Sequence, residues 1–192
     1  MNKLFIFIFI SIVISGCKTR LSYESIGLDY IMNYGNFEED LSIPCSGKFK
    51  ISDSLYIYNQ SYGKPDLFLI KDTLKISDST FFQYNMRPEV ASPSPIKISL
   101  DKYKKYNIKY TTQSKYKYDQ YKYSNINNKT TSVELHNHFY LLKITEQYTF
   151  NGNIIIEYWF KRGYHCPEVI YIVVIDAKSR DVIFCKNYLS KV

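Results

Sequence analysis

The spacing of apolar residues changes character twice along the chain. Leu4–Ile14 is a run of apolar residues broken only by Ser11. Tyr23, Ile26, Tyr30, Ile31, Tyr34 and Phe37 then recur at steps of three and four, which predicts a helix over 22–35. Ser22 is placed to cap its start and Gly35 to end it. Beyond Gly35, short runs of Ile, Val, Tyr, Phe and Thr alternate with Asp, Ser, Asn and Gly, the pattern of strands and turns. Strands are predicted at Lys48–Ile51, Leu55–Tyr58, Leu67–Ile76, Thr80–Tyr84, Ile96–Leu100, Val133–Phe150, Ile154–Lys161, Val169–Ile175 and Val182–Lys186.

The last four of these form an antiparallel meander. Asn151-Gly152 is a two-residue hairpin signal, and Ala177-Lys178-Ser179-Arg180 joins the final pair. Pro167 precedes the third strand, where a missing N–H is tolerated. In Val169–Ile175 both alternating sets of side chains are apolar, so this strand is expected at the centre, covered on both faces. The fold class expected is α+β, with one N-terminal helix packed on a mainly antiparallel β-sheet that ends in the meander. If a second sheet supplies the cover instead, the alternative is an all-β sandwich. Pro88, Pro93 and Pro95 mark an irregular loop over 86–95. The helix-then-meander order, with the hairpin from Val174 to Ile183, resembles cystatin-like and nuclear-transport-factor-2-like domains, a likeness of architecture that carries no function.

Composition narrows the class. A chain of 192 residues that is 45% hydrophobic sustains a packed core, and seven glycines are too few for low-complexity or collagen-like chains. The start of the chain has its own signature. Met1-Asn2-Lys3, the Leu4–Ile14 run and the small residues before Cys17 match a secretory signal too short to span a bilayer core of about 30 Å. Ile14-Ser15-Gly16-Cys17 resembles a bacterial lipobox. That resemblance implies a signal peptide over 1–16, lipid on Cys17, a tether over 17–21 and a single β-rich domain over 22–192. Each buried acyl methylene contributes about 0.8 kcal/mol, so two or three chains hold firmly. Lys18-Thr19-Arg20 lacks the Asp that resembles an inner-membrane retention signal and the acidic cluster of surface-exported lipoproteins. An outer membrane with the domain facing the periplasm is favoured over the cell surface.

With Cys17 lipidated, Cys45, Cys166 and Cys185 remain in an oxidising compartment. A hairpin pairing Asp176 with Asp181 would set Cys166 opposite position 191, so a bridge to Cys185 requires a bulge or register shift. Cys45 with either partner stays open, as do buried thiols acting as small apolar groups.

Charge is concentrated in one place. Residues 97–129 hold nine lysines and two aspartates, a net +7 that equals the charge of the whole chain, together with seven tyrosines. In Lys115-Tyr116-Lys117-Tyr118 and Tyr121-Lys122-Tyr123 the two types alternate, so a strand would carry Tyr on one face and Lys on the other. A contact surface is therefore expected at Lys102, Tyr103, Lys104, Lys105, Tyr106, Lys115, Tyr116, Lys117, Tyr118 and Lys122. In the cytosol this chemistry would suit nucleic acid. Export removes that partner and leaves anionic envelope polymer, lipid headgroups or an envelope protein, besides the membrane held through the N-terminal lipid. The bland counterpart is a solvated charged face with no ligand.

Catalytic signals are sparse. Glu134, His136 and His138 share one face of a strand and form a weak metal-ligand candidate without an identifiable fourth ligand. His165 and Cys166 are adjacent, so on a strand they point apart. Nucleophile elbows, zinc-protease helices and phosphate-binding glycine loops are missing. The expectation is a non-catalytic envelope binding module without a cofactor. The rival is a metal-dependent or hydrolytic envelope enzyme using Glu134, His136 and His138.

Overall fold

The computed structural model describes residues 21–34, 54–87, 93–103, 107–112, 139–162 and 167–190. Two helices, α1 (Tyr23–Tyr34) and α2 (Asp78–Met86), and seven strands make an α+β fold. The strands are β1 (Ser54–Tyr58), β2 (Asn107–Thr111), β3 (Phe139–Ile144), β4 (Tyr148–Phe150), β5 (Asn153–Arg162), β6 (Val169–Asp176) and β7 (Val182–Leu189). They lie in one open sheet of order β2-β1-β3-β5-β6-β7, with β4 beside the start of β5. From β3 to β7 every pairing is antiparallel, as the meander required, whereas β1 runs parallel to both β2 and β3.

The helix over 22–35 forms, with its buried face turned relative to the expected stripe: Ile31 is buried and Tyr23 and Ile26 pack against the core, but Tyr34 does not. Leu28, Ile31 and Met32 enter the core, while Tyr34 is 78% exposed and stacks on Tyr30 at 5.3 Å. The contact face is centred on Gly27. A Cβ there would lie 2.2 Å from the hydroxyl oxygen of Tyr158 on β5, and that hydroxyl donates to the Glu24 carbonyl at 2.9 Å. Glycine's helix cost of about 1 kcal/mol is offset by close approach to the sheet. Ser22 caps as expected, its oxygen accepting from the Ser25 N–H at 3.2 Å.

Strand β6 is buried on both faces. Val169, Tyr171, Val173 and Ile175 face α1. Ile170, Ile172 and Val174 are also buried, and the latter two join a second core with Leu67, Ile70, Ile76 and Tyr84. The second cover is thus neither a sheet nor α1, but the segment 67–84. Its two predicted strands, Leu67–Ile76 and Thr80–Tyr84, do not form. A 3-10 turn occupies Phe68–Ile70, where the Asp66 carboxylate accepts from the Phe68 N–H, and Lys75 takes a left-handed φ of 51°. Ser77 then caps α2, its hydroxyl oxygen accepting from the Thr80 N–H. Local side-chain capping overrides the β propensity of Thr80, Phe81 and Tyr84.

Three further expectations are corrected. Val133–Phe150 is not one strand: within its described part, β3 and β4 are separated at 145–147, with the register moving by one residue between Ile144↔Tyr158 and Tyr148↔Ile155. Thr145 bridges the break, its N–H donating to the Glu157 carbonyl and its hydroxyl accepting from the Glu157 N–H. Ile96–Leu100 forms no strand: it lies outside the ladder, and Leu100 opens a 3-10 turn, Leu100–Tyr103. Ile98 places its N–H and carbonyl on the Tyr110 hydroxyl, at 2.7 and 2.8 Å. The β6–β7 turn pairs Asp176 with Asp181 as read, but a bulge at Ile183 shifts the rest, setting Val173 opposite Cys185. Cys185 packs half-buried against the helix-side core. Cys45, Cys166 and the strand at 48–51 lie outside the described residues.

Candidate functional site

The parallel trio β2-β1-β3 stops short of its neighbours. Ile144, the last residue of β3, is level with Tyr158 and hence Tyr171, while β6 runs on to Asp176. Strand β4 fills the step beside β5, and at the carboxyl ends of β1 and β2, beside Lys143 of β3, lies a cleft of about 450 Å³, lined by Tyr58, Asn59, Gln60, Ser61, Tyr62, Pro93, Thr112 and Lys143.

Backbone hydrogen bonds fix its floor. After β1 the chain passes between β2 and β3: the Asn59 N–H donates to the Thr111 carbonyl and the Tyr62 N–H to the Ile144 carbonyl. Ser61 and Ser94 are doubly joined, the Ser61 N–H donating to the Ser94 carbonyl and the Ser94 N–H to the Ser61 hydroxyl oxygen, both at 2.8 Å. Gly63 takes a φ of 64° and accepts from the Glu146 N–H, which turns the chain out of the cleft. The main-chain donors of Asn59, Ser61 and Tyr62 are therefore consumed, and what the floor offers is side chains. The carboxamides of Asn59 and Gln60 are exposed and have no hydrogen-bond partner among the described residues.

One wall is aromatic and cationic. Tyr62 is 47% exposed and meets the Trp159 ring edge-on at 6.1 Å. The Lys143 ammonium sits 4.2 Å from the Tyr62 ring centroid. It also lies 3.7 Å from the Glu168 carboxylate, which Lys161 approaches more closely at 3.3 Å. Two cations thus share one anion, and these three groups together carry +1. Burial pulls the Lys143 ammonium below its ordinary pKa while Glu168 works against that shift, and 14% of its side-chain surface stays open. The Glu168 carboxylate at 3.7 Å favours the protonated amine.

Behind Trp159 is a fully buried carboxyl, Glu157. It accepts from the Tyr188 hydroxyl at 2.9 Å, from the Trp159 indole N–H at 3.0 Å and from the Asp66 backbone N–H. Burial raises its pKa to about 7, against the downward pull of those donors. Sequence reading passed over Glu157, Lys143 and the 59–62 turn. The only local sign was a Glu at an inward position of an otherwise apolar strand.

Of the expected basic surface, Tyr103 is buried and its hydroxyl lies 3.4 Å from the Ser25 carbonyl and 3.5 Å from Asp29. Lys102 reaches Asp29 at 4.0 Å. These two residues dock the 3-10 turn Leu100–Tyr103 onto α1 and offer no ring platform to a ligand. Lys104, Lys105, Tyr106, Lys115, Tyr116, Lys117, Tyr118 and Lys122 lie outside the described residues, as do Cys17, Glu134, His136 and His138. Among the described residues no cluster of His, Cys, Asp and Glu is arranged to hold a metal, and no helix is long and apolar enough to cross a membrane. Comparison of the chain with protein-family models, curated proteins and solved structures finds no match. The cystatin-like and nuclear-transport-factor-2-like resemblance accordingly remains one of element order.

Proposed function

We propose that this chain is a lipid-anchored lipoprotein of the bacterial envelope whose folded domain is a non-catalytic binding module. The observation that carries the proposal is Ile14-Ser15-Gly16-Cys17 following a charged start and an apolar run. On this reading residues 1–16 are removed and lipid on Cys17 holds the domain at a membrane, the outer membrane with the domain in the periplasm being favoured. The placement of Leu21 is consistent with a short tether, since its carbonyl accepts from the Arg180 guanidinium at the β6–β7 turn. A tether over 17–21 reaches roughly 17 Å when fully extended, so that turn would stay close to the lipid surface. A binding role is supported by a cleft in which Lys143 is ion-paired, the Asn59 and Gln60 carboxamides are exposed and the Tyr62 ring stands at the rim. Its partners would be anionic envelope polymers, lipid headgroups or an envelope protein.

Metabolic labelling with a fatty acid, followed by membrane fractionation, tests the anchor. The wild-type chain should take up label and sediment with membranes, and Cys17→Ser should remain unprocessed and unlabelled. Label that persists in the serine variant, or a wild-type chain that is soluble in the cytosol, would refute the proposal.

A further inference from the structure

We infer that the cleft at the carboxyl ends of β1, β2 and β3 binds a carboxylate-bearing sugar residue, with Lys143 receiving the carboxylate, Asn59 and Gln60 the hydroxyls, and the exposed part of Tyr62 bordering the sugar. This deepens the binding-module reading and rests on it.

Ligand class follows from what the cleft has and what it has committed elsewhere. A phosphate site uses a nest of main-chain N–H groups, a helix N-terminus or an arginine fork. Here the floor's N–H groups of Asn59, Ser61 and Tyr62 are bonded to Thr111, Ser94 and Ile144, and no arginine is among the described residues of the walls. A dianion would meet one partly open ammonium already shared with Glu168. A single carboxylate matches that residual charge of +1. The two carboxamides each carry both a donor and an acceptor, which suits neighbouring hydroxyls that must donate and accept in turn. The Lys143 ammonium covers one face of the Tyr62 ring, 4.2 Å from its centroid, and the exposed part of Tyr62 borders the cleft beside the cation, so a sugar packed along that border has a substituent near the ammonium. An apolar ligand would cover the Asn59 and Gln60 carboxamides without pairing them. The volume, about 450 Å³, falls in the range of small-ligand sites.

Full-length protein in detergent micelles, titrated calorimetrically with a galacturonic acid trimer, its methyl ester and inorganic phosphate, tests this. The trimer should saturate the protein and bind at least ten-fold tighter than the uncharged ester, and phosphate should not displace it. Tyr62→Ala, at an exposed position, and Lys143→Met, which leaves Glu168 paired with Lys161, should each weaken binding ten-fold or more with unchanged circular dichroism. No saturation by the trimer, equal binding of the ester, displacement by phosphate, or unaltered affinity in both variants would overturn the assignment. Its failure is separable from that of the parent reading. An acylated, membrane-bound chain that ignores the trimer loses only this ligand. Cleavage of the trimer would overturn the non-catalytic reading while leaving the site in place.

Discussion

Two halves of one sheet face have opposite chemistry. On the side away from α1, strand β5 presents Ile155, Glu157, Trp159 and Lys161 in turn. Ile155 lies with Ile172 and Val174 beneath Leu67, Ile70 and Tyr84 in a dry core. Lys161, three alternate positions further on, shares Glu168 with Lys143 beside the cleft. Glu157 marks the boundary, fully buried yet bonded to Trp159 on the cleft side and to Asp66 on the covered side. The strand's backbone ladder with β6 is continuous throughout, so the change from sealed to cleft-side surface is carried by side chains alone. What covers each stretch decides its role: 67–84 seals one half, and the 59–62 turn shapes the other.

The sharpest way to break this contrast is to truncate one residue from each half. Ile172, fully buried on the sealed side, should cost about 2–5 kcal/mol as Ile172→Ala, the usual range for a collapsed or partly collapsed core cavity. Lys143→Met on the same sheet face should cost less than about 1 kcal/mol, because its stem contacts survive and Glu168 keeps Lys161. Urea unfolding of both variants checks the difference. Equal losses would mean that the cleft half is as structurally committed as the sealed half.

The boundary residue should reveal itself through pH. Glu157 has a folded pKa raised to about 7 against an ordinary 4.5. The folded state therefore binds more protons than the unfolded chain between these values, and stability falls as pH rises through the window. Full burial of the charge above it costs about 3 kcal/mol. Tyr188 is the partner able to adapt, since its hydroxyl can turn from donor to acceptor when Glu157 is protonated. In Glu157→Gln this dependence is gone. The stability difference between variant and wild type should shift in the variant's favour by about 3 kcal/mol between pH 4 and pH 8, measured by denaturant unfolding. A difference that does not vary with pH would show the carboxyl to be hydrated and the boundary wet.

How much of this was legible in the sequence follows the range of the interactions involved. The meander was readable because each strand pairs with the next through a short turn, and because Val169–Ile175 is apolar in both parities. Position 22 was readable as a cap because its bond runs three residues along the chain. The parallel pairing of β1 with β2 and β3 was not, since nothing in five residues such as Ser54–Tyr58 encodes the direction of a partner far along the chain. The cleft shares that origin: its lining comes from four stretches far apart in the chain, Tyr58–Tyr62, Pro93, Thr112 and Lys143. Lysine and tyrosine abundance pointed to residues 97–129, yet Tyr103 within it is spent on the core. Composition counts side chains and does not say which way they face.

Gly27 is where the hydrophobic pattern misjudged the face of α1, and it offers a test on the other side of the sheet. Gly27→Ala improves helix propensity by about 1 kcal/mol, yet places a Cβ against the Tyr158 ring, with its Cζ at 2.8 Å and its hydroxyl closer still. Overpacking should prevail and leave a net loss of about 1–3 kcal/mol. Tyr158→Phe in the same background should restore part of it, because the nearest atom is removed while the ring carbons stay close. A double-mutant cycle with no coupling between the two positions would mean that α1 shifts freely on the sheet, and that its buried face is not set by the glycine.

The smallest effect probes why the sealed half is sealed by a helix. Thr80-Phe81-Phe82-Gln83-Tyr84 has strand-forming composition, and the structure makes it helical behind the Ser77 cap. Ser77→Ala removes the acceptor for the Thr80 N–H and should cost about 1 kcal/mol. The loss should be confined to the cover. Amide exchange ought to quicken over 78–86 while β5 and β6 keep their protection, since the ladder between them does not depend on the cap. Lys64 holds the far end of α2 through the carbonyls of Tyr84, Asn85 and Arg87, and Tyr84 stays anchored to the Pro65 carbonyl, so the helix should loosen from its first turn only. Protection lost together from α2 and from the Ile172–Val174 stretch would instead make cover and sheet one cooperative unit, and the two faces' independence would not survive it.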